Sequence, residues 1–109
     1  MATNYKVLGQ ALPAANTATS LYTVPTNTQA VVSNIHVCNT GAAAATYRIA
    51  IRPSGAALSS VHYYAFDAAI APGKNGSYVE GLTLGAGDVI TVLSNTGTVT
   101  FHAFGSEIA

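Results

Sequence analysis

Few side chains in this sequence are equipped for chemistry, and they are spread along it. The imidazoles are His36, His62 and His102, the one thiol is Cys38, and the carboxylates are Asp67, Glu80, Asp88 and Glu107. Three neutral imidazoles suffice for three corners of a tetrahedral zinc site, but each histidine here lies in a different extended run with no second ligand close by. The sequence leaves their convergence open and assigns no metal. Cys38 follows His36 by two residues, which on a strand puts both on one face with backbones about 6 to 7 Å apart. A nucleophile needs its base at hydrogen-bond distance and an orienting partner for that base, and neither is visible. A lone cysteine also excludes an intrachain disulfide framework and a cysteine-based zinc site, leaving an inert thiol among apolar neighbours as the expected state. Asp88 has a sufficient role in the turn GAGD, Glu107 lies near the end of the sequence, and Asp67 and Glu80 show no pairing. The run APGKNG at 71–76 shares turn-forming residues with a phosphate loop but lacks the following lysine and hydroxyl. The expectation is a protein that is not an enzyme and holds no cofactor.

The sequence of 109 residues has room for one domain. Half of it is hydrophobic, but only 7% is charged, against about 25% in ordinary soluble domains. The charges are Lys6, Arg48, Arg52, Lys74, Asp67, Glu80, Asp88 and Glu107, so the rest of the surface must be built from hydroxyls, amides, small residues and aromatic tips. Free monomers usually carry more charge than this, and the deficit points to a surface covered by partner subunits. The formal net charge is zero, so no field attracts DNA, RNA or anionic lipid, and four scattered cations make no backbone groove. Nucleic acid is not an expected partner. The stretch VLGQALPAANTATS is broken by Gln10, Pro13 and Asn16, so no secretion signal is recognised, and the apolar runs are too short and interrupted to suggest a membrane span. Synthesis and assembly in the cytoplasm are expected.

What positions these side chains is a series of short extended runs divided by turn chemistry, without a sustained helical period. Residues 4–8 read as an edge strand or docked arm, and residues 1–20 together as an N-terminal arm or edge strand plus linker ahead of a domain at 21–109. Strands are expected at 21–24, stopped by Pro25, at 29–39, at 46–52, at 61–70, at 77–84, at 89–94 and at 98–104, with Gly105 and Ser106 loosening the chain afterwards. The stretch VVSNIHVCNTG at 31–41 is unusual in that both of its parities are only partly apolar. In 61–70 the set His62, Tyr64, Phe66, Ala68 and Ile70 is the better core face. Seven or eight strands at spacings of about 8 to 12 residues describe a two-sheet β-sandwich or barrel. The expected fold is all-β, a jelly-roll-like two-sheet sandwich with an extended N-terminal segment.

Candidates for contact with other subunits are Tyr5, Tyr47, Arg48, Arg52, Tyr63 and Tyr64. Arg48 and Arg52 share the face opposite Tyr47, Ile49 and Ile51, where their forked donors could pair with Asp67, Glu80 or a partner's carboxylate. Tyr63 and Tyr64, with Phe66, Tyr47 and Tyr78, also offer the aromatic surface that carbohydrate binding uses.

In order, LYTVPTNTQAVVSNIHVCNTG at 21–41, TYRIAIRPSG at 46–55, HYYAFDAAIAPG at 62–73, LTLGAGDVITV at 82–92 and the ending FHAFGSEIA at 101–109 resemble small virion structural proteins of tailed, cyanophage-like bacteriophages. The resemblance covers most of the sequence after residue 20. It implies a non-enzymatic virion component that stabilises a bacteriophage particle through subunit contacts, foremost a capsid cement or decoration protein. Alternatives are a tail or baseplate subunit, or a carbohydrate or receptor-binding module. The implied partners are other copies of itself, as a trimer, and the major capsid protein or tail proteins, and residues 2–20 occupy the place of the extension that joins neighbouring copies.

Overall fold

A computed structural model describes residues 2–109, and these form strands and turns, with two one-turn 3-10 helices and no α-helix. The strands are β1 (Thr3–Ala11), β2 (Thr19–Thr23), β3 (Gln29–Asn39), β4 (Ala45–Arg52), β5 (Tyr63–Ile70), β6 (Asn75–Tyr78), β7 (Leu82–Leu84), β8 (Val89–Ser94) and β9 (Val99–Ile108). All pairings are antiparallel and fall into two sheets. The first runs β1-β9-β3-β6, with β7 following β6 along the same edge of β3; the second runs β2-β8-β4-β5.

Apolar alternation explains the layering. Ile35, Val37, Val99, Phe101 and Ala103 of the first sheet meet Ile49, Ile90, Val92, Leu21 and Tyr47 of the second, all buried in one core. Phe101, fully buried, packs edge-to-face on Tyr47 with ring centroids 6.0 Å apart, a favoured aromatic geometry.

Bulges account for the mixed faces of β3. The register against β9 shifts between Val32 and Asn34, so Ser33 is the extra residue and inward positions change from Ala30 and Val32 to Ile35, Val37 and Asn39. A bulge reverses the parity of all that follows it, which is why neither parity of 31–41 is purely apolar. The same device corrects the expectation for β5. Asp67 has φ of 51° and the register with β4 shifts there, so Phe66 turns outward and is 57% exposed while Ala65, Ala68 and Ile70 pack inward. The expected strand 77–84 is divided into β6 and β7, with Gly81 in the left-handed region at φ of 65° between them. Likewise β9 does not loosen at Gly105 and Ser106 but stays paired through Ile108.

Two polar centres tie the ends of the sandwich. Asn39, fully buried, donates from Nδ2 to the carbonyls of Ala43 and Ile70, while its Oδ1 accepts from the Gly41 N–H and the Thr98 hydroxyl. All four of its hydrogen-bonding positions are filled, which makes a buried amide tolerable. At the other centre Glu107 accepts from the Tyr22 hydroxyl at 2.5 Å and from Lys6 Nζ at 2.9 Å. Tyr22 belongs to the second sheet and Lys6 to β1, so this carboxylate fastens both to β9. Hydrogen bonding to Tyr22, then to Lys6, holds the Glu107 carboxyl below its ordinary value, and burial together with Glu107 pushes the Tyr22 phenol up. Residues 3–11 are thus an edge strand of the first sheet, locked at one end by an ion pair.

A carboxylate with a depressed folded-state pKa contributes stability above its unfolded value of 4.5, and that contribution is lost as pH falls through the folded value. Tyr22→Phe is therefore expected to cost about 2 kcal/mol in urea unfolding at pH 7, with the gap to the parent protein narrowing as the pH drops below 4.5. Gly105 sits where β9 crosses β3 so closely that an added Cβ would overlap the Val31 carbonyl. Gly105→Ala should destabilise by about 2 to 3 kcal/mol in the same assay.

Candidate functional site

The six contact candidates separate by place in the fold. Tyr47 lies in the core at 6% exposure, and its hydroxyl meets that of Tyr78 at 2.6 Å; burial and this bond raise its phenol. Tyr64 packs against the same core with its ring edge-on to Tyr78, centroids 5.5 Å apart, and its hydroxyl is buried without a partner. These two tyrosines serve the interior. Arg52 donates to the carbonyls of Ala56 and Gly55 at 2.9 and 3.4 Å, fixing the turn after β4, which Asp88 braces by accepting from the N–H groups of Ser54 and Gly85.

Arg48 and Tyr63 remain on the outer face of the second sheet, joined there by Phe66. The Arg48 guanidinium lies 4.1 Å from the Phe66 ring centroid and 5.7 Å from that of Tyr63, and the two rings are edge-to-face at 4.9 Å. The same guanidinium grips Asp67 in a two-point bond, Nε to Oδ1 at 2.7 Å and NH2 to Oδ2 at 3.2 Å. Asp67 is held below the usual carboxylate range by that hydrogen bond, and Arg48 is raised by it. The positive φ of Asp67 positions this cluster, since the bulge is what brings Phe66 and Asp67 out beside Arg48. Arg48 covers one face of Phe66 and Tyr64 is turned inward, so Tyr63 and Tyr64 do not form one open platform.

Tyr5 belongs to a different wall. On the outer face of the first sheet, Tyr5 (84% exposed) and Val7 (50% exposed) of β1 stand beside Phe104 and Ser106 of β9, and β9 in turn stands beside β3. His36 and His102 are register partners across β3 and β9, with ring centroids 6.4 Å apart, and His102 stacks on Phe104 at 6.2 Å with the planes 4° apart. Ser77 holds His36 Nδ1 at 2.8 Å and Gln10 holds His102 Nδ1 at 3.1 Å. Leu12, 59% exposed, borders an open depression of about 280 Å³ with Gln10, Ala11, Thr100 and His102. Cys38 is half-buried on this same outer face, opposite Thr100.

No charged residue occupies an outward register position of β1, β9 or β3 on this wall. Lys6 and Glu107 are paired on the inner side, Arg48, Asp67 and Arg52 belong to the second sheet, and Lys74, Glu80 and Asp88 lie in turns. Among the described residues no three histidine, cysteine, aspartate or glutamate side chains converge on a point that would hold a metal ion. His62 is remote from the other two imidazoles in register, its Nδ1 accepting from the Ser59 N–H. The Ser77 hydroxyl is the nucleophile-type group nearest to an imidazole on this wall, at 2.8 Å from His36 Nδ1, and the rest of the wall's β1, β9 and β3 positions form an uncharged, partly aromatic plane.

Sequence reasoning named Tyr5 as a contact candidate and passed over Val7 and Phe104 beside it and Leu12 past the far end of β1, all on or next to this wall. The pairing that unites them runs between residues about a hundred positions apart, and only the alternation of His102 and Phe104 on one parity signalled it. Because its hydroxyl is an unpaired buried group, Tyr64→Phe is expected to be neutral or stabilising by up to about 1 kcal/mol, whereas Tyr47→Phe strands the Tyr78 hydroxyl and lowers stability; parallel thermal melts distinguish the two. Comparison of the chain with protein-family models, with curated proteins and with solved structures finds no match.

Proposed function

We propose that this protein is a non-enzymatic structural subunit that stabilises a bacteriophage particle by repeated contacts through the outer wall of its first sheet. The carrying observation is that wall itself: a plane whose β1, β9 and β3 positions carry no charged residue, from which Tyr5 and Val7 project into solvent. Covering it desolvates no ion, so aromatic and apolar burial is not offset by a charge penalty, and large exposed apolar groups set side by side mark interaction surfaces.

The strand order supports a jelly roll within the sandwich. β1 pairs with β9, β2 with β8, β3 with β6 and β7, and β4 with β5. Those four pairings are what results when one long hairpin of eight lanes is rolled into two four-lane sheets, an architecture that recurs in viral capsid domains; fold alone does not assign function. The sequence resemblance to phage virion proteins supplies the particle. On this reading the chain assembles in the host cytoplasm, resides in the virion, joins other copies as a trimer and cements the head through the major capsid protein. A tail or baseplate position is the alternative within the same class. Carbohydrate recognition at Tyr63 and Tyr64 is disfavoured by the covered and inward rings.

Sedimentation at low micromolar concentration, with co-sedimentation on phage heads and tails assembled without this protein, tests the reading. Self-association or particle binding is expected, and the double substitution Tyr5→Lys, Val7→Lys should weaken it by about tenfold or more while leaving the melting temperature unchanged. A wild-type chain that stays monomeric and binds neither heads nor tails overturns it.

A further inference from the structure

We propose that His36 and His102 together form a two-imidazole binding point for a borderline transition-metal ion such as Zn²⁺, Ni²⁺ or Cu²⁺. Both ligands come from one chain, so the site is complete in the unassembled protein, although it lies on the wall that the proposed assembly covers.

The two residues are direct register partners at the centre of the β3–β9 ladder, so the backbone fixes their separation. Each ring is held at its inner nitrogen: His36 Nδ1 by Ser77 Oγ and His102 Nδ1 by Gln10. That leaves Nε2 of both rings without a protein partner among the described residues, and neither atom is buried. Histidines that ligate metal commonly donate their other ring N–H to an oxygen that fixes tautomer and orientation. In the Nδ1–H tautomer of His36, Ser77 Oγ at 2.8 Å is the acceptor. Turning the Gln10 amide over gives His102 Nδ1–H an oxygen acceptor as well.

The spacing is close to what chelation needs. With metal–nitrogen bonds of about 2.0 to 2.1 Å, two imidazoles on one tetrahedral ion have centroids about 5 Å apart. The rings here are 6.4 Å apart at an interplanar angle of 51°, so chelation requires side-chain rotation that closes the centroids by about 1.4 Å, from 6.4 Å to about 5 Å. Beside them the depression bordered by Thr100, Leu12 and Gln10 leaves room for the water molecules that fill the remaining positions. No carboxylate or thiol joins the two imidazoles in a group of metal-binding size among the described residues, so the protein's donor set is nitrogen alone. That set selects zinc, nickel or copper and gives magnesium and calcium nothing to bind.

Calorimetric titration of the full chain, free of any histidine tag, with ZnCl₂ or NiCl₂ should show one saturable site per chain, and MgCl₂ should give no binding heat. His36→Ala and His102→Ala should each weaken the site by about tenfold or more, Ser77→Ala should weaken it less, and His62→Ala should leave it unchanged. Electron paramagnetic resonance of the Cu²⁺-loaded wild-type chain, which needs no substitution to fold, should count two coordinating imidazole nitrogens. Absence of saturable zinc or nickel binding, undiminished binding after either His36→Ala or His102→Ala, or a single coordinating nitrogen overturns the proposal.

Discussion

Ten antiparallel residue pairs between β3 and β9 hold the middle of the first sheet, and the two faces of that ladder do opposite work. Inward, Ile35, Val37, Val99, Phe101 and Ala103 form one side of the core. Outward, the same strands present His36, Cys38, His102 and Phe104. Because the pleat couples the two faces with a period of two, neither can slip without the other. A register error that exposed Phe101 would bury the histidines. The Ser33 bulge and the close crossing at Gly105 fix this register at one end, and Asn39 with its four hydrogen bonds fixes it at the other.

Local chemistry made much of the sandwich legible. Gln29–Asn39 runs as a strand between its expected limits, Pro25 follows the end of β2, and Asp88 caps its turn, because each depends on neighbours within a few residues. The clean alternation of Tyr47, Ile49 and Ile51 against Arg48 and Arg52 likewise survives in β4. Periodicity failed where the chain departs from a period of two. Parity groups Phe66 with Ile70, but a positive φ at Asp67 has no signature in alternation, and a second register shift, between Ile49 and Ala50, falls at Tyr64 and puts Tyr64 and Phe66 on opposite sides although they share a parity. Tyr47 as a contact residue failed for a related reason: an aromatic on a clean strand face is equally suited to core and interface, and only the opposing sheet decides.

The sites were less legible than the strands because they are products of pairing. His36 and His102 are separated by most of the sequence, and no spacing rule joins them; the antiparallel register does. The Arg48–Asp67 pair was among the pairings that the sequence permitted, and the bulge chooses it over Glu80 by turning Asp67 outward beside β4. Composition carried the most durable signal. Eight charges in 109 residues restrict how many surfaces can be ionised, and the fold spends four of them in two internal pairs and two more on turn backbone.

That distribution gives the two outer walls different routes to being covered. The β1, β9 and β3 positions on the outside of the first sheet present no ion to strip of water, so covering them, as the proposed assembly would, draws on aromatic and apolar area and on amide and hydroxyl complementarity. On the second sheet, Arg48 brings its counter-charge with it and lies over Phe66, so the cluster needs no opposite charge from a partner. A pair already satisfied within one chain loses less on losing water than two charges that meet only on contact. Under the proposed assembly, long-range attraction contributes little at either wall, and specificity falls to shape and to where the few projecting rings sit. A sequence with so little charge keeps its contacts local, and the fold places the remaining ions where contact does not depend on them.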